Sequence, residues 1–298
     1  MTVDLAYRTA AEMAGLIRAR SISPVEAVQA YLARIDRWDG ALHAYVTVCR
    51  DRALAEARAA EQALARGAPA PADLRADLER GAGGLSIGVV AQLVDSPDTD
   101  GPVHAAVREA AVTLRGLGAR VEDVSLPLLP LAGAVFMALA DGEAAAWHHR
   151  TLATRGSEYD PGTRRRLITA ALLPTTLGQQ AARARAAIRG QVEGALARFD
   201  VLLAPTGPTP APPIASAQAP IASRADAGRR FFNRRSYTTP ASLAGVPALS
   251  LPCGFTTGGL PIGLQLIGRR LDEATLLRAA RAYERATDWR ARRPPLPG

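Results

Sequence analysis

The stretch Pro240-Ala-Ser-Leu-Ala-Gly-Val-Pro-Ala-Leu-Ser-Leu-Pro-Cys-Gly-Phe255, followed closely by Gly259-Leu-Pro-Ile-Gly-Leu-Gln-Leu-Ile-Gly268, decides how this chain is read. Within it, Ala248 to Leu251 and Pro261 to Ile267 are short apolar runs bounded by Gly and Pro, the pattern of buried strands; helices need longer periodic segments. Working upstream, Val201 to Ala204 is a third such run, preceded by a helical pattern over Thr176 to Phe199. Before that come a helix at about Leu131 to Arg150, a strand at Val121 to Leu126, and a helix from Pro102 to Leu117. Gly118 closes that helix, where a left-handed cap costs glycine little. Leu85 to Val90 is a further strand, and downstream Asp272 caps a last helix reaching Asp288. Strand and helix signals alternate throughout, which predicts an α/β fold: a mixed β-sheet flanked and mostly covered by helices.

The first quarter of the chain reads differently. Thr9 to Arg20 carries apolar residues at helical spacing. Ser23-Pro24-Val25-Glu26 joins a capping box to Pro at the first helical position, so a second helix starts at Pro24 and ends near Trp38 to Gly40. Its apolar stripe is Val25, Val28, Tyr31, Leu32 and Ile35. After the short apolar run Ala44 to Val48, an Ala-rich helix occupies Asp51 to Arg66. Gly67-Ala-Pro-Ala-Pro71 breaks it, a short amphipathic piece runs Ala72 to Arg80, and Gly81, Gly83 and Gly84 lead into the strand at Leu85. The expected organisation is one domain over 1–298, with a helical segment 1–66, a linker 67–84 and an α/β segment 85–298.

With 48% hydrophobic and 21% charged residues, the composition is that of an ordinary globular protein, and 5% aromatics leaves the core to Ala, Leu, Val and Ile. The apolar stretch Leu126 to Ala140 is broken by Pro127 and Pro130 and is shorter than the roughly 20 residues that span a bilayer. No secretory signal pattern is visible at the start, so a cytoplasmic location is expected and no membrane association. Cys49 and Cys253 lack metal spacing and read as reduced, structural thiols. The net charge of +8 admits an acidic partner. The arginines, however, recur along helical segments (Arg183, Arg185, Arg189) and in small clusters (Arg164 to Arg166, Arg229 to Arg230, Arg234 to Arg235). That is a solvated surface, and nucleic acid binding is not indicated. All 36 residues of the Lys+Arg count are arginine. The chain therefore has no side-chain amine able to act as a base or Schiff-base nucleophile.

The C-terminal motifs resemble the amidase-signature family, which includes amide hydrolases and the A subunit of the tRNA-dependent amidotransferase. The residues that carry the resemblance are Asp200-Val-Leu-Leu-Ala-Pro-Thr206, the two stretches quoted above, and Asp272-Glu-Ala-Thr-Leu-Leu277. The N-terminal helices resemble the family's opening in Ser23-Pro24-Val25-Glu26-Ala27-Val28, in Tyr31-Leu-Ala-Arg-Ile35 and in Asp51-Arg-Ala-Leu-Ala-Glu56. The family places a long central block between these regions, carrying a lysine, a bridging serine and a nucleophilic serine in a Gly/Ser-rich loop. The neutral lysine takes a proton through the bridging serine, the activated hydroxyl attacks the amide carbon, and loop N–H groups hold the oxyanion. Here the helix ending at Arg66 runs through the short linker to Leu85, so the resemblance implies an internally truncated amidase-signature fold. No position matches a catalytic residue, and none is carried over.

Other constellations favour plain structural readings. Cys253, in Pro252-Cys253-Gly254, fits a buried strand better than a reactive, electropositive setting. His148 and His149 point about 100° apart on a helix and do not share one metal. Asp95, Asp98 and Asp100 lack the calcium-loop glutamate, whose place falls on Val107. Gly81, Gly83 and Gly84 precede a strand, unlike a phosphate loop. Arg164 to Arg166 have no interleaved aromatics for base stacking. No cofactor, metal or catalytic residue is expected. Three readings remain open: an inactive amidase-family remnant, a binding or scaffold subunit complementing a full-length amidase or amidotransferase, and an amide hydrolase with a non-family nucleophile such as Cys253 or a His-activated serine. The missing block predicts an exposed sheet edge, and with it self-association or pairing with a companion amidase chain.

Overall fold

A computed structural model describes residues 5–45, 47–66, 77–213, 222–228, 232 and 234–292. The chain forms two compact units, Met1–Asp73 and Leu74–Gly298. Of the expected linker and amphipathic piece, residues 67–76 lie outside the described residues, as do Arg229 and Arg230.

The N-terminal unit contains α1 (Ala10–Arg18), α2 (Pro24–Leu42) and α3 (Arg50–Ala65). Both expected starts are closed by reciprocal caps. The Glu12 N–H donates to Thr9 Oγ1 at 3.2 Å and the Thr9 N–H to Glu12 at 2.7 Å; Ser23 and Glu26 repeat the exchange at 3.1 and 2.7 Å. His43, in the left-handed region at φ 47°, ends α2. The buried side chains among the described residues here are Met13, Ala27, Leu32 and Ala57.

The second unit is built on a five-stranded sheet of order β2-β1-β3-β5-β4, with β1 Ser86–Val90, β2 Arg120–Val124, β3 Val201–Pro205, β4 Ala248–Phe255 and β5 Pro261–Gly268. β1 pairs in parallel with β2 and β3, while β5 runs antiparallel to both β3 and β4, so the sheet is mixed as the alternating pattern implied. The helices are α4 (Ala91–Val94), α5 (Gly101–Gly116), α6 (Ala132–Phe136), α7 (Gly142–Arg155), α8 (Pro161–Ala171), α9 (Thr175–Leu196), α10 (Arg224–Gly228), α11 (Arg234–Ala244) and α12 (Glu273–Ala286).

Alternation along the strands sends side chains into two cores. Ile87, Val89, Val201, Leu203, Leu251, Leu264 and Leu266 pack with α5 and α12 on one face. Val90, Leu202, Ala204 and Ile267 pack with α6, α9 and α11 on the other. Coverage stops short at β4, where Ala248, Ser250 and Pro252 stand exposed on that second face. A π-helical turn, Met137–Asp141, joins α6 to α7, so the helix expected from Leu131 is continuous through Leu129–Glu158. By length and composition that stretch could cross a membrane, with mean hydropathy 1.3 over an apolar window that is 33% buried. In this fold its first part, α6, packs on α9 and α11, and α7 packs on α8. Gly133 makes the packing possible, because a Cβ there would lie 2.1 Å from the Phe232 carbonyl oxygen. The Gly133 N–H donates to Ser236 Oγ at 3.1 Å, which donates in turn to Pro130 O at 2.8 Å.

Candidate functional site

A cavity of about 390 Å³ opens where the C-terminal motifs meet, lined by Thr206, Thr238, Ala241, Ser242, Gly245, Val246, Ala248, Leu249, Ser250 and Gln265. Thr206 follows directly on β3. Thr238, Ala241 and Ser242 come from α11, whose left-handed Gly245 (φ 72°) turns the chain into β4. Thr206 Oγ1 and Ser250 Oγ are 2.8 Å apart, and Ser250 Oγ lies 3.2 Å from the Leu264 carbonyl, which accepts from it. Gln265, buried on β5, donates its Nε2 to the carbonyls of Tyr237 and Pro205. Tyr237 is anchored from its other end, its hydroxyl 2.7 Å from Thr99 Oγ1, which donates to Leu93 O. The cavity thus offers hydroxyls and an amide in a fixed frame, and none of its lining side chains is titratable near neutral pH. Such a surface can hydrogen-bond a neutral polar group. Among the described residues that line it there is no base to take a proton from a serine. A larger cavity, about 440 Å³, lies in the N-terminal unit beside Arg20, Glu26 and Glu61, but Glu26 there is engaged in its helix cap.

The residues singled out in the sequence do not converge on this cavity. Cys253 is buried on the opposite face of β4, among the α5 and α12 side chains, and burial pushes its thiol up to about 12, so it is protonated at neutral pH. His148 Nδ1 bonds the Tyr159 hydroxyl at 2.8 Å, and His149 is exposed on α7. His104 bonds Asp95, which also receives Arg108, while Arg108 reaches Asp123 at 2.6 Å. Burial pushes the Asp95 carboxyl up, but Arg108 and His104 outweigh it and hold the carboxyl below its ordinary range. Among the described residues no group of three or more His, Cys, Asp or Glu could hold a metal ion.

The glycines before β1 do a structural task. The Arg278 guanidinium donates to the carbonyls of Gly81 and Gly83 at 2.8 and 2.7 Å, with Gly81 and Gly84 at positive φ. The arginine clusters are likewise partly committed. Arg185 donates to Leu243 O, Arg189 pairs with Glu193, and Arg166 and Arg235 stand 3.7 and 3.6 Å from the buried Asp141. Sequence reasoning passed over Asp141 and the cavity; the signal for the latter was present in Thr206, Ser250 and Gln265, each inside a motif that carries the family resemblance.

Comparison with known proteins gives these motifs their context. A family model described as Amidase matches residues 66–277. The A subunit of the glutamyl-tRNA(Gln) amidotransferase of Myxococcus xanthus is 38% identical over 261 residues, covering 80% of this chain and 52% of that protein. Its counterpart in a Roseiflexus species is 38% identical over 218 residues, covering 65% and 43%. Among solved structures, the A subunit of the Thermotoga maritima glutamyl-tRNA(Gln) amidotransferase superposes with TM-score 0.57 and 29% identity over 70% of this chain and 44% of that one. A bacterial aryl acylamidase superposes with TM-score 0.63 over 76% and 49%, at 21% identity, a likeness of fold alone. The chain spans about half the length of the curated relatives it matches. With most of its length matched by that family model and its motifs assembled on the corresponding sheet, the chain belongs to the amidase family.

Proposed function

We propose that this chain is an amidase-family protein without hydrolytic activity of its own, a pseudoenzyme in which one truncated domain retains a helical segment 1–66 and an α/β segment 85–298 around a seam at 67–84. One observation carries the reading: no lysine occurs anywhere in the 298 residues, so the Ser-Ser-Lys relay has no terminal base. A serine hydroxyl is a poor nucleophile until a neighbouring group relieves it of its proton. The cavity supports the same reading, since Thr206, Thr238, Ser242 and Ser250 line it without a proton acceptor among them. An amide hydrolase working through Cys253 would need a thiolate, and burial opposes one.

A second reading is a binding or scaffold subunit that complements a full-length amidase or amidotransferase. It is favoured by the identity of the relatives, which are components of a larger enzyme by name, and by the half length of the match. Either reading places the chain in the cytoplasm, without cofactor, metal or nucleic acid.

The deciding experiment incubates the purified chain with a panel of aryl amides and primary carboxamides beside a thermal unfolding scan. The expected result is a folded protein with turnover equal to buffer. Turnover that survives repurification and disappears in Ser250→Ala or Cys253→Ala would sink the proposal. Co-purification with a full-length family member, at fixed stoichiometry, would favour the second reading over the first.

A further inference from the structure

The two edges of the sheet are protected unequally. β2 carries Arg120, Glu122 and Asp123 on its exposed positions, the charged dressing that keeps strand edges from pairing. β4 has none. In a chain with 21% charged residues, no charge occurs from Ser236 to Gly268, which includes the whole of β4 and β5.

The direction of the free hydrogen-bonding groups follows from the ladder. The Gly268 N–H donates to the Pro247 carbonyl at 2.9 Å, so Pro247 faces β5. Alternation then turns Leu249 and Leu251 toward β5 as well, and leaves the N–H and C=O of Ala248 and Ser250 pointing away from the sheet. The next outward position is Pro252, which has no N–H, and the preceding one, Val246, already donates to Ala241 O. The open edge is therefore two residues long and bounded at both ends.

We propose that this edge pairs with the same edge of a second copy of the chain, antiparallel, with the two-fold axis at Leu249. In that register Ala248 of one copy meets Ser250 of the other, and every outward N–H and C=O on the run finds a partner. Shifting the axis to Ser250 would place Ala248 opposite Pro252 and strand the Ala248 carbonyl. Like copies each carrying a net charge of +8 repel, and a strand that carries no charge of its own adds nothing to that repulsion at the joint. The side chains at the joint, Ala248 and Ser250, are small enough to let the backbones meet. The result is one continuous sheet across two copies, with the cavities of both flanking the joint. The pairing does not depend on whether the chain hydrolyses amides.

The test is the mass in solution of the full chain over a wide concentration range, read by sedimentation or light scattering. The expected outcome is a rise from 31.3 kDa toward twice that value. Ala248→Arg, at an exposed position, is expected to raise the association midpoint by about tenfold or more through like-charge opposition, while Arg120→Ala on the other edge leaves it unchanged. Leu249→Cys in a Cys49→Ala background provides a second readout, because facing non-hydrogen-bonded positions lie about 4.5 Å apart and suit a disulfide. It is expected to give a covalent dimer on oxidation. A chain that stays monomeric at every concentration overturns the proposal. So does a dimer indifferent to Ala248→Arg and uncrosslinked at Leu249→Cys, and so does an edge occupied only by a different protein.

Discussion

In the N-terminal helices two reciprocal caps stand beside a handful of buried side chains, Met13, Ala27, Leu32 and Ala57. In the α/β unit the balance is reversed. Leu202, Leu203, Leu264 and Leu266 are wholly buried, and while Asp160 and Asp272 cap α8 and α12, the longer α5 and α9 start without a side-chain cap. The difference is between structure held by contacts three residues apart and structure held by contacts across the sequence. A cap contributes about 1 kcal/mol and a fully buried leucine about 2 to 3. The α/β unit should therefore be the more stable, and the helical unit should exchange its amide hydrogens sooner.

Substitutions can break or sharpen that contrast. Leu203→Ala, at a position with no exposure on the central strand, is expected to cost about 4 kcal/mol in urea unfolding of the α/β unit. Leu32→Ala in the helical unit should cost less, since its surroundings are thinner and collapse more easily; an equal cost would erase the contrast. Gly133→Ala forces a Cβ onto the Phe232 carbonyl, and a loss of about 3 kcal/mol with a lower melting temperature is expected.

Asp200 adds a pH dependence confined to the α/β unit. Burial pushes its carboxyl up, but the Ser86 N–H and hydroxyl and the Arg269 guanidinium outweigh burial and hold it below its ordinary value. A depressed folded pKa contributes stability above the unfolded value of about 3.9, and that stability is lost as pH falls through the folded one. Asp200→Asn is expected to cost about 2 kcal/mol at neutral pH and to flatten the acid limb of an unfolding series. The smallest effect belongs to Ser23→Ala, about 1 kcal/mol, visible in hydrogen exchange of α2 and absent from that of the sheet.

The same contrast governs what the sequence disclosed. The start of α2 was legible because a capping box is written within four residues, that of α1 because apolar residues recur at helical spacing, and all five strands fell within a few residues of their apolar runs. α8 and α11 were not anticipated. α11 contains Pro240 in its interior, a signal that argues against a helix, and long-range packing of Ser236, Tyr237 and Ala241 overrides it. The motifs contained the cavity's residues but not its geometry, since Thr206 and Ser250 are 44 residues apart and only the antiparallel arrangement of β3, β5 and β4 brings their hydroxyls together. The three glycines before β1 read as a linker, and nothing near them in sequence announces Arg278, 195 residues on from Gly83.

The uncharged span from Ser236 to Gly268 also shapes how the molecule comes apart. A protease that cuts after arginine finds no site between Arg235 and Arg269, so even exhaustive digestion releases the β4 and β5 hairpin as one intact peptide. That peptide carries most of the cavity wall and the bare strand together, and its appearance in a digest would time the opening of the sheet.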